Sequence, residues 1–170
     1  MDMILERFFP DIYVKSVYEL PIEKLKEMGI KGLVFDIDNT VVPFDMEEPD
    51  EDLKELFLYL KKQGFRVCFF SNNSKKRVQL FSKGLKLLAV HKAGKPGIRK
   101  LNIALNKLHL SPKNTAIVGD QVFTDMWCGH KAGLTCILTE PICDRDQLIT
   151  KVKRGLERRV LQVYFKKQGK

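Results

Sequence analysis

The chain has 170 residues, of which 44% are hydrophobic and 30% are charged, and its net charge at neutral pH is +9. These proportions are typical of one globular domain and argue against an intrinsically disordered chain. No uncharged apolar run approaches the roughly 20 residues of a membrane-spanning helix, and the acidic N-terminal segment lacks the apolar core of a secretory signal, so we expect a cytoplasmic protein with reduced cysteines.

Short apolar segments rich in β-forming residues alternate with helical patterns along the chain. In chain order, the patterns predict a strand at 32–35, a helix at 51–63, a strand at 65–70, a helix at 75–84, a strand at 87–90, a helix at 97–108, a strand at 115–118, a helix at 122–132 and a strand at 135–138. Five strands separated by helices predict an α/β fold with a five-stranded, mainly parallel sheet and helices on both faces.

Polar side chains follow four of these predicted strands. They are Asp36, Asp38 and Thr40, then Ser71 and Asn72, then Lys95, and finally Asp120 and Asp125. Because ligands of such folds bind beyond the carboxyl ends of the strands, we expect these groups to converge on one site.

The four aspartates of this set would repel one another unless a cation neutralised them. Their ligand atoms are all oxygens, with no histidine or cysteine cluster beside them, and this favours Mg²⁺ over Zn²⁺. The sequence therefore predicts Asp36, Asp38, Asp120 and Asp125 as candidate metal-site residues.

The remaining groups suit a phosphorylated substrate. A hydroxyl at Ser71, an amide at Asn72 and a positive charge at Lys95 match what the oxygens of a phosphoryl group require. Asp36 can serve as a nucleophile, and Asp38 can act as an acid and base two residues away. Taken singly, Ser71 and its neighbours would indicate a helix cap, and Lys95 a helix start, but the combination at four strand ends favours phosphoryl transfer.

In this order, the residues resemble the haloacid dehalogenase (HAD) superfamily of aspartate-nucleophile phosphatases. Residues 36–40 look like the first motif, Ser71 like the second, Lys95 like the third, and residues 119–125 like the fourth. The resemblance implies that Asp36 is the nucleophile and Asp38 the acid–base residue. It also implies that Mg²⁺ is held by the Asp36 carboxylate, the Asp38 backbone carbonyl and Asp120, with Asp125 in support.

The spacing of these motifs is too short to contain a cap domain. Only 30 residues separate Thr40 from Ser71, and 23 separate Ser71 from Lys95. The chain is therefore similar to the capless subclass IIIA, with a Rossmann-like HAD fold. We expect one domain over residues 1–170, flanked by segments 1–20 and 146–170 that either pack on the core or touch a membrane.

The segments outside the motifs indicate one family within this subclass. Residues 8–17 and 29–32, the GDQVFTD run at 119–125 and the basic tail look like the bacterial YqeG-type family, which is similar to mitochondrial phosphatidylglycerophosphate phosphatases. The resemblance implies hydrolysis of phosphatidylglycerophosphate to phosphatidylglycerol. It also implies an anionic phospholipid as the partner, at the inner face of the plasma membrane.

The positive charge is concentrated in two segments. Residues 71–100 contain nine basic residues and no acid, and residues 151–170 contain eight basic residues and one acid. In the second segment, an apolar stripe repeats at helical spacing, at Ile149, Val152, Leu156, Val160 and Val163. Such a helix either lies on an anionic bilayer or packs on the sheet, and the N-terminal Leu5, Phe8 and Phe9 allow the same two interpretations.

Two alternatives to a lipid phosphatase stay open at this point. The first is a phosphatase of a soluble sugar phosphate or of a nucleic-acid 3′-phosphate, because a basic surface attracts any polyanion. The second is a non-catalytic module that binds RNA or a ribosomal partner, because a fold does not determine a function.

Overall fold

The computed structural model of the chain describes residues 5–143 and 148–169. Within them, six strands form one sheet: β1 (Ile12–Val14), β2 (Gly32–Phe35), β3 (Arg66–Phe70), β4 (Leu88–Val90), β5 (Thr115–Gly119) and β6 (Thr135–Thr139). Their order across the sheet is β1-β6-β5-β2-β3-β4, and every neighbouring pair is parallel. The expected parallel α/β fold is confirmed, and β2 and β5 lie at the centre of the sheet.

The helices of the described chain connect these strands. They are α1 (Ile22–Glu27), α2 (Glu51–Lys62), α3 (Lys75–Ser82), α4 (Arg99–Lys107), α5 (Trp127–Ala132) and α6 (Leu148–Lys167). A π-helical turn, Val122–Met126, runs directly into α5. Residues 36–87, all of which the structure describes, contain α2 and α3 between loops and strands and no cap domain.

The expected strand count of five was wrong by one. The additional strand, β1, pairs only with β6 at the sheet edge, where Ile12 lies beside Ile137. Three residues are too few to display an alternating pattern, so tertiary pairing rather than local sequence defines this strand. Helix α1 was missed for a similar reason, because it spans only six residues.

The core has one apolar cluster on each face of the sheet. On the first face, the rings of Phe35, Phe57, Phe69 and Phe81 form a chain of edge-to-face contacts, with centroids 5.1–5.3 Å apart. On the second face, Val34 packs with Leu101 and other apolar residues of the helices. Successive residues of β2 thus face opposite sides, as strand geometry requires, and all of β2 is buried.

Helix α2 shows why the sequence folds locally as it does. The Asp50 side chain accepts a hydrogen bond from the Leu53 amide at 2.9 Å, which satisfies a free N–H group at the helix start. Acidic residues occupy the first turn and lysines the last, in agreement with the helix dipole. The chain then turns at Gly64, whose φ of +93° favours glycine, and enters β3.

The two flanks pack against each other on the second face. Phe8 contacts the rings of Phe123 and Trp127, and Phe9 contacts Tyr164, with ring centroids 5.1–5.6 Å apart. Among the α6 residues whose side chains the structure describes, 155–167, the buried ones are Glu157, Val160 and Tyr164. Phe8, Phe9 and Tyr164 therefore pack at the edge of the second-face core.

The predicted apolar stripe of α6 is rotated relative to the buried one. Leu156, one of the residues of the predicted stripe, is 51% exposed, whereas the charged Glu157 is buried. The side chains of Ile149 and Val152, like residues 1–4, 146–147 and 170, lie outside the described residues. No helix in the described ranges combines the length and the apolar character needed to cross a membrane.

Candidate active site

The predicted site residues meet at the carboxyl edge of the sheet. Asp36 follows β2, Ser71 follows β3 and Asp120 follows β5, and these three strands are neighbours. An open cleft of about 290 Å³ lies there, lined by Asp36, Asp38, Phe44, Ser71, Asn72, Asn73, Lys95, Gln121 and Thr124. The expected convergence of the strand ends on one site is therefore present in the fold.

Lys95 joins two of the carboxylates. Its Nζ lies 2.5 Å from Asp36 Oδ1 and 2.6 Å from Asp125 Oδ1, and all three side chains are buried. The backbone of Lys95 is held by Asn72, whose Oδ1 accepts from the Lys95 amide at 2.8 Å and whose Nδ2 donates to the Lys95 carbonyl at 3.3 Å. Asn72, predicted to bind phosphate, thus also fixes the position of the lysine.

Ser71 is placed for a substrate oxygen by the turn that follows β3. Its side chain is 1% exposed overall, and its hydroxyl oxygen accepts a hydrogen bond from the Asn73 amide at 3.1 Å. Its carbonyl accepts from the Ala93 amide, which ties this turn to the loop before Lys95. The hydroxyl proton of Ser71 is available to a ligand in the cleft.

Three buried carboxylates fit a hard cation. Asp36, Asp120 and Asp125 each offer an oxygen, and these atoms all lie within 4.8 Å of one another. The Thr40 hydroxyl lies 3.0 Å from Asp120 Oδ1 and 3.2 Å from Asp36 Oδ2, and its one proton serves a single oxygen at a time. Asp120 Oδ2 is buried and has no hydrogen-bond partner among the described residues, so this oxygen is the strongest sign of a cation site.

The remaining predicted metal-site residues differ in their roles. Both Asp125 oxygens are already engaged, one by Lys95 and the other by the Gln121 amide at 3.1 Å, which suits a supporting residue. The Asp38 carboxylate accepts hydrogen bonds from other side chains, so its backbone carbonyl is the group that would be offered to a metal ion. Mg²⁺ would therefore be held by Asp36, Asp120 and the Asp38 carbonyl.

The electrostatics of the buried cluster are unbalanced. Burial raises the pKa of Asp36 to about 6, since desolvation outweighs the lowering effect of Lys95. Burial and the two neighbouring carboxylates raise the pKa of Asp120 well above its usual value. Burial lowers the pKa of Lys95, but Asp125 and Asp36 outweigh this and raise it overall. The single positive charge of Lys95 therefore does not neutralise the negative charges of three carboxylates. A bound cation would supply the missing positive charge.

Gly119 allows Asp125 to approach the site. A Cβ atom on this glycine would lie 2.3–2.5 Å from atoms of the Asp125 side chain, closer than real Cβ contacts come. The π-helical turn that follows places Asp125 beneath β5, where it can reach both Lys95 and the Gln121 amide. The glycine at this strand end is thus required by the geometry of the carboxylate.

Asp38 occupies the other side of the cleft. Its Oδ1 accepts two hydrogen bonds from Arg77, from Nε at 3.1 Å and from Nη2 at 3.0 Å, and its Oδ2 accepts one from Asn73 Nδ2 at 3.0 Å. Arg77 and Asn73 were not among the site residues predicted from the sequence. The sequence feature that could have indicated Arg77 was the group of basic residues in the first turn of α3. Positive charge at a helix N-terminus is unfavourable because of the helix dipole, so a nearby anion is expected to compensate it.

Comparisons with known proteins find phosphatases among the relatives of this chain. A model of the HAD-hydrolase-like family matches residues 92–148. The chain is 36% identical over 165 residues to "Probable phosphatase YqeG" of Bacillus subtilis, covering 97% of this chain and 96% of that protein. It is 28% identical over 176 residues to phosphatidylglycerophosphate phosphatase 1, chloroplastic/mitochondrial, of Arabidopsis thaliana, covering 93% of this chain but only 48% of that protein.

A solved structure supports the fold independently. The crystal structure of CbbY from Rhodobacter sphaeroides in complex with phosphate superposes with a TM-score of 0.53. The match covers 69% of this chain and 90% of that chain, at 12% sequence identity. At this identity the likeness concerns the fold alone.

Proposed function

The chain belongs to the YqeG family of HAD-type phosphatases, and from this premise we propose that its substrate is phosphatidylglycerophosphate, which it hydrolyses to phosphatidylglycerol. The observation that carries the phosphatase chemistry is the buried Asp36 beside Lys95 and two further carboxylates at an open strand-end cleft. The similarity to the Arabidopsis enzyme, whose name states this substrate, supports the lipid assignment.

The catalytic sequence begins with the nucleophile. The Asp36 carboxylate attacks phosphorus, so that an oxygen–phosphorus bond forms and the bond to the leaving oxygen breaks. Lys95 and the Ser71 hydroxyl bind phosphoryl oxygens, and Asp38 donates a proton to the leaving alkoxide. The product of this half-reaction is the alcohol, with the phosphoryl group on Asp36.

Hydrolysis of the aspartyl-phosphate completes the cycle. Asp38, now without its proton, accepts one from a water molecule, whose oxygen attacks phosphorus while the bond to Asp36 breaks. Inorganic phosphate leaves, and both aspartates regain their starting state. A bound Mg²⁺ would supply positive charge that stabilises the phosphoryl oxygens during both steps.

An open cleft suits a headgroup that stays attached to its lipid. The loop after β2 lies at the rim, where the Phe44 side chain is 66% exposed. No described element covers this cleft, and residues 36–87 contain no cap that would select a small molecule. The exposed Phe44 ring also offers an apolar contact beside the headgroup.

Two exposed basic surfaces support docking on an anionic bilayer. Lys75, Lys76 and Lys92 lie at the carboxyl edge of the sheet near the cleft, and Arg158 and Arg159 lie on the outer side of α6. Each basic residue near such a surface contributes about 1 kcal/mol. We propose that these surfaces place the enzyme at the inner face of the plasma membrane.

The decisive experiment measures phosphate release with Mg²⁺ from phosphatidylglycerophosphate in mixed micelles. A sugar phosphate and a 3′-phosphorylated oligonucleotide are assayed alongside, with Asp36→Asn as the blank. Preference for the lipid supports the proposal, and preference for a soluble ester overturns the lipid assignment. The absence of release from every ester would instead favour a binding module.

Vesicle binding tests the docking surfaces separately. We expect the protein to co-sediment with phosphatidylglycerol vesicles and to be released by salt, because surface electrostatics are screened within a few ångströms at high ionic strength. Binding to neutral phosphatidylcholine vesicles should be much weaker. Equal binding to both vesicle types would contradict an electrostatic docking surface.

A further inference from the structure

We propose that Arg77 is a positioning residue for Asp38, and that it leaves one defined oxygen of this carboxylate free to exchange a proton with the leaving group. The proposal rests on the acid–base role of Asp38 in the proposed function. It concerns a residue that none of the four motifs contains and that the resemblance to known phosphatases does not assign.

The hydrogen bonds to Asp38 single out this oxygen. Arg77 donates twice to Oδ1, at 3.1 and 3.0 Å, and a carboxylate oxygen has two lone pairs. Oδ1 is therefore saturated. From the described residues Oδ2 accepts only one hydrogen bond, from Asn73 Nδ2 at 3.0 Å, and so keeps one lone pair. Since Asp38 lines the cleft that contains Asp36, Oδ2 is the oxygen left to handle the proton.

Arg77 is itself held in place on three sides. Its amide donates to the Ser74 side chain at 3.3 Å in the first turn of α3, and its guanidinium lies over the Phe81 ring at 5.5 Å. Its Nη1 donates to the Glu47 carbonyl at 3.1 Å. With its side chain only 12% exposed, the guanidinium is a rigid fork.

The contact with Glu47 extends this effect to the flap, defined here as residues 42–48. The same guanidinium that orients Asp38 fixes the end of the flap, and Phe44 of the flap lines the cleft. The flap also begins beside Asp38, because the Asn39 amide donates to the Val42 carbonyl at 2.7 Å. Arg77 therefore connects the position of the acid to the position of the loop at the cleft rim.

The chemical consequence depends on the leaving group. An alkoxide leaves slowly unless an acid protonates it, whereas 4-nitrophenolate leaves readily without a proton. A misplaced Asp38 should therefore slow the transfer of phosphate from an alkyl ester far more than from an aryl ester. The value of kcat/KM reports this transfer to Asp36, because it covers the steps up to departure of the alcohol.

The test compares Arg77→Gln with the wild-type enzyme on glycerol 3-phosphate and on 4-nitrophenyl phosphate. We expect kcat/KM to fall about 10- to 100-fold for the alkyl ester and by less than about 3-fold for the aryl ester. Arg77→Lys keeps the positive charge but not the planar guanidinium. Its kcat/KM for the alkyl ester should therefore lie between the values of the wild type and Arg77→Gln. Lys62→Gln is the control, because it removes an exposed basic charge at the last position of α2, outside the cleft, and should change neither value.

A double-variant cycle separates positioning from other roles. If Arg77 acts through Asp38, adding Arg77→Gln to Asp38→Asn should cause no further loss on the alkyl ester. An equal loss for both esters, or a full additional loss in the Asp38→Asn background, would overturn the proposal. Thermal melts of Arg77→Gln and Arg77→Lys identify unfolding, and a loss explained by unfolding would also count against positioning.

The outcome also distinguishes this proposal from the proposed function. Wild-type activity with an unchanged alkyl-to-aryl ratio in Arg77→Gln would overturn the positioning role alone. A wild-type enzyme that hydrolyses neither ester, and also no lipid ester, would overturn both. Preference for a soluble ester over phosphatidylglycerophosphate would leave the positioning role intact.

Discussion

The two sides of the cleft differ in how their charges are balanced. On one side, Lys95 faces Asp36, Asp120 and Asp125, all of them 1–8% exposed. On the other, Arg77 and Asp38 form a one-to-one pair whose side chains are 12% and 18% exposed. The first side is short of positive charge and is suited to receive a cation and a phosphoryl group. On the second side each charge has one partner, and the pair is suited to fix the orientation of an acid–base residue.

The largest expected effect tests the nucleophile on the charge-deficient side. Asp36→Asn should lower the rate of phosphate release by about 10⁴-fold or more, because an amide cannot form the aspartyl-phosphate. Without Mg²⁺, the variant should be at least as stable as the wild type, since it removes one of three crowded carboxylates. Phosphate assays and thermal melts on the same preparation measure both quantities. Substantial turnover by pure Asp36→Asn protein would refute the nucleophile assignment.

The response to Mg²⁺ should distinguish the two sides directly. At 100 times its Kd, a bound ion stabilises the folded state by about 2.7 kcal/mol, and Asp120→Asn should remove most of that stabilisation together with most of the activity. A melt series over Mg²⁺ concentration gives the shift for each variant. Glu55→Gln, which removes an exposed carboxylate on α2, should keep the full shift.

The unpartnered oxygen explains why Asp120 is the informative position. In the part of the chain that the structure describes, Asp120 Oδ2 has no hydrogen-bond partner, whereas both oxygens of Asp125 are engaged. An unchanged Mg²⁺ titration in Asp120→Asn would therefore contradict the ligand assignment. It would also remove the reason for regarding the shortage of positive charge on this side of the cleft as a feature that favours cation binding.

A smaller effect is expected from Gly119→Ala, which acts on the charge-deficient side through packing. The new methyl group would displace the Asp125 carboxyl, and overpacking of this kind costs about 1–3 kcal/mol of stability. Loss of the Lys95–Asp125 contact should also reduce kcat about 10-fold or more. Gly155→Ala is the control, because open space surrounds that helical glycine, and alanine there should stabilise by about 0.5–1 kcal/mol.

Much of the charge-deficient side could be predicted from the sequence. Buried strands such as β2 and β5 are continuous apolar runs, and the residues directly after them must meet at one edge of a parallel sheet. The positions of Asp36 and Asp120 follow from this rule. The Lys95 position follows less directly, since it depends on the loop that Asn72 holds.

The other side of the cleft could not be predicted in the same way. Arg77 and Asp38 are 39 residues apart in the chain. Their contact depends on how α3 is rotated about its axis, and no local sequence pattern shows this rotation. Strand β1 and the buried face of α6 were missed for the same reason, because each is defined by its partner in the fold. In α6 the buried Glu157 accepts from the Phe123 amide at 3.3 Å, a contact that hydrophobic periodicity cannot anticipate.

The smallest expected effect that distinguishes the two sides of the cleft is the pH dependence of protein stability. Burial raises the pKa of Asp36 to about 6 and also raises that of Asp120, so the folded protein holds these protons to a higher pH than the unfolded chain. Stability from this source is fully present below about pH 4 and is lost as the pH rises through about 6. The raised pKa of Lys95 affects only alkaline solutions.

Melts in EDTA should therefore show the wild type losing stability relative to Asp36→Asn between about pH 4 and pH 7. Because Mg²⁺ binds the deprotonated carboxylates, saturating Mg²⁺ should offset that loss in the wild type. Arg77→Gln should retain the wild-type trend, since it leaves the buried carboxylates in place. A difference between wild type and Asp36→Asn that stays constant across this range would mean that Lys95 alone balances the cluster, and that the two sides of the cleft are electrostatically alike.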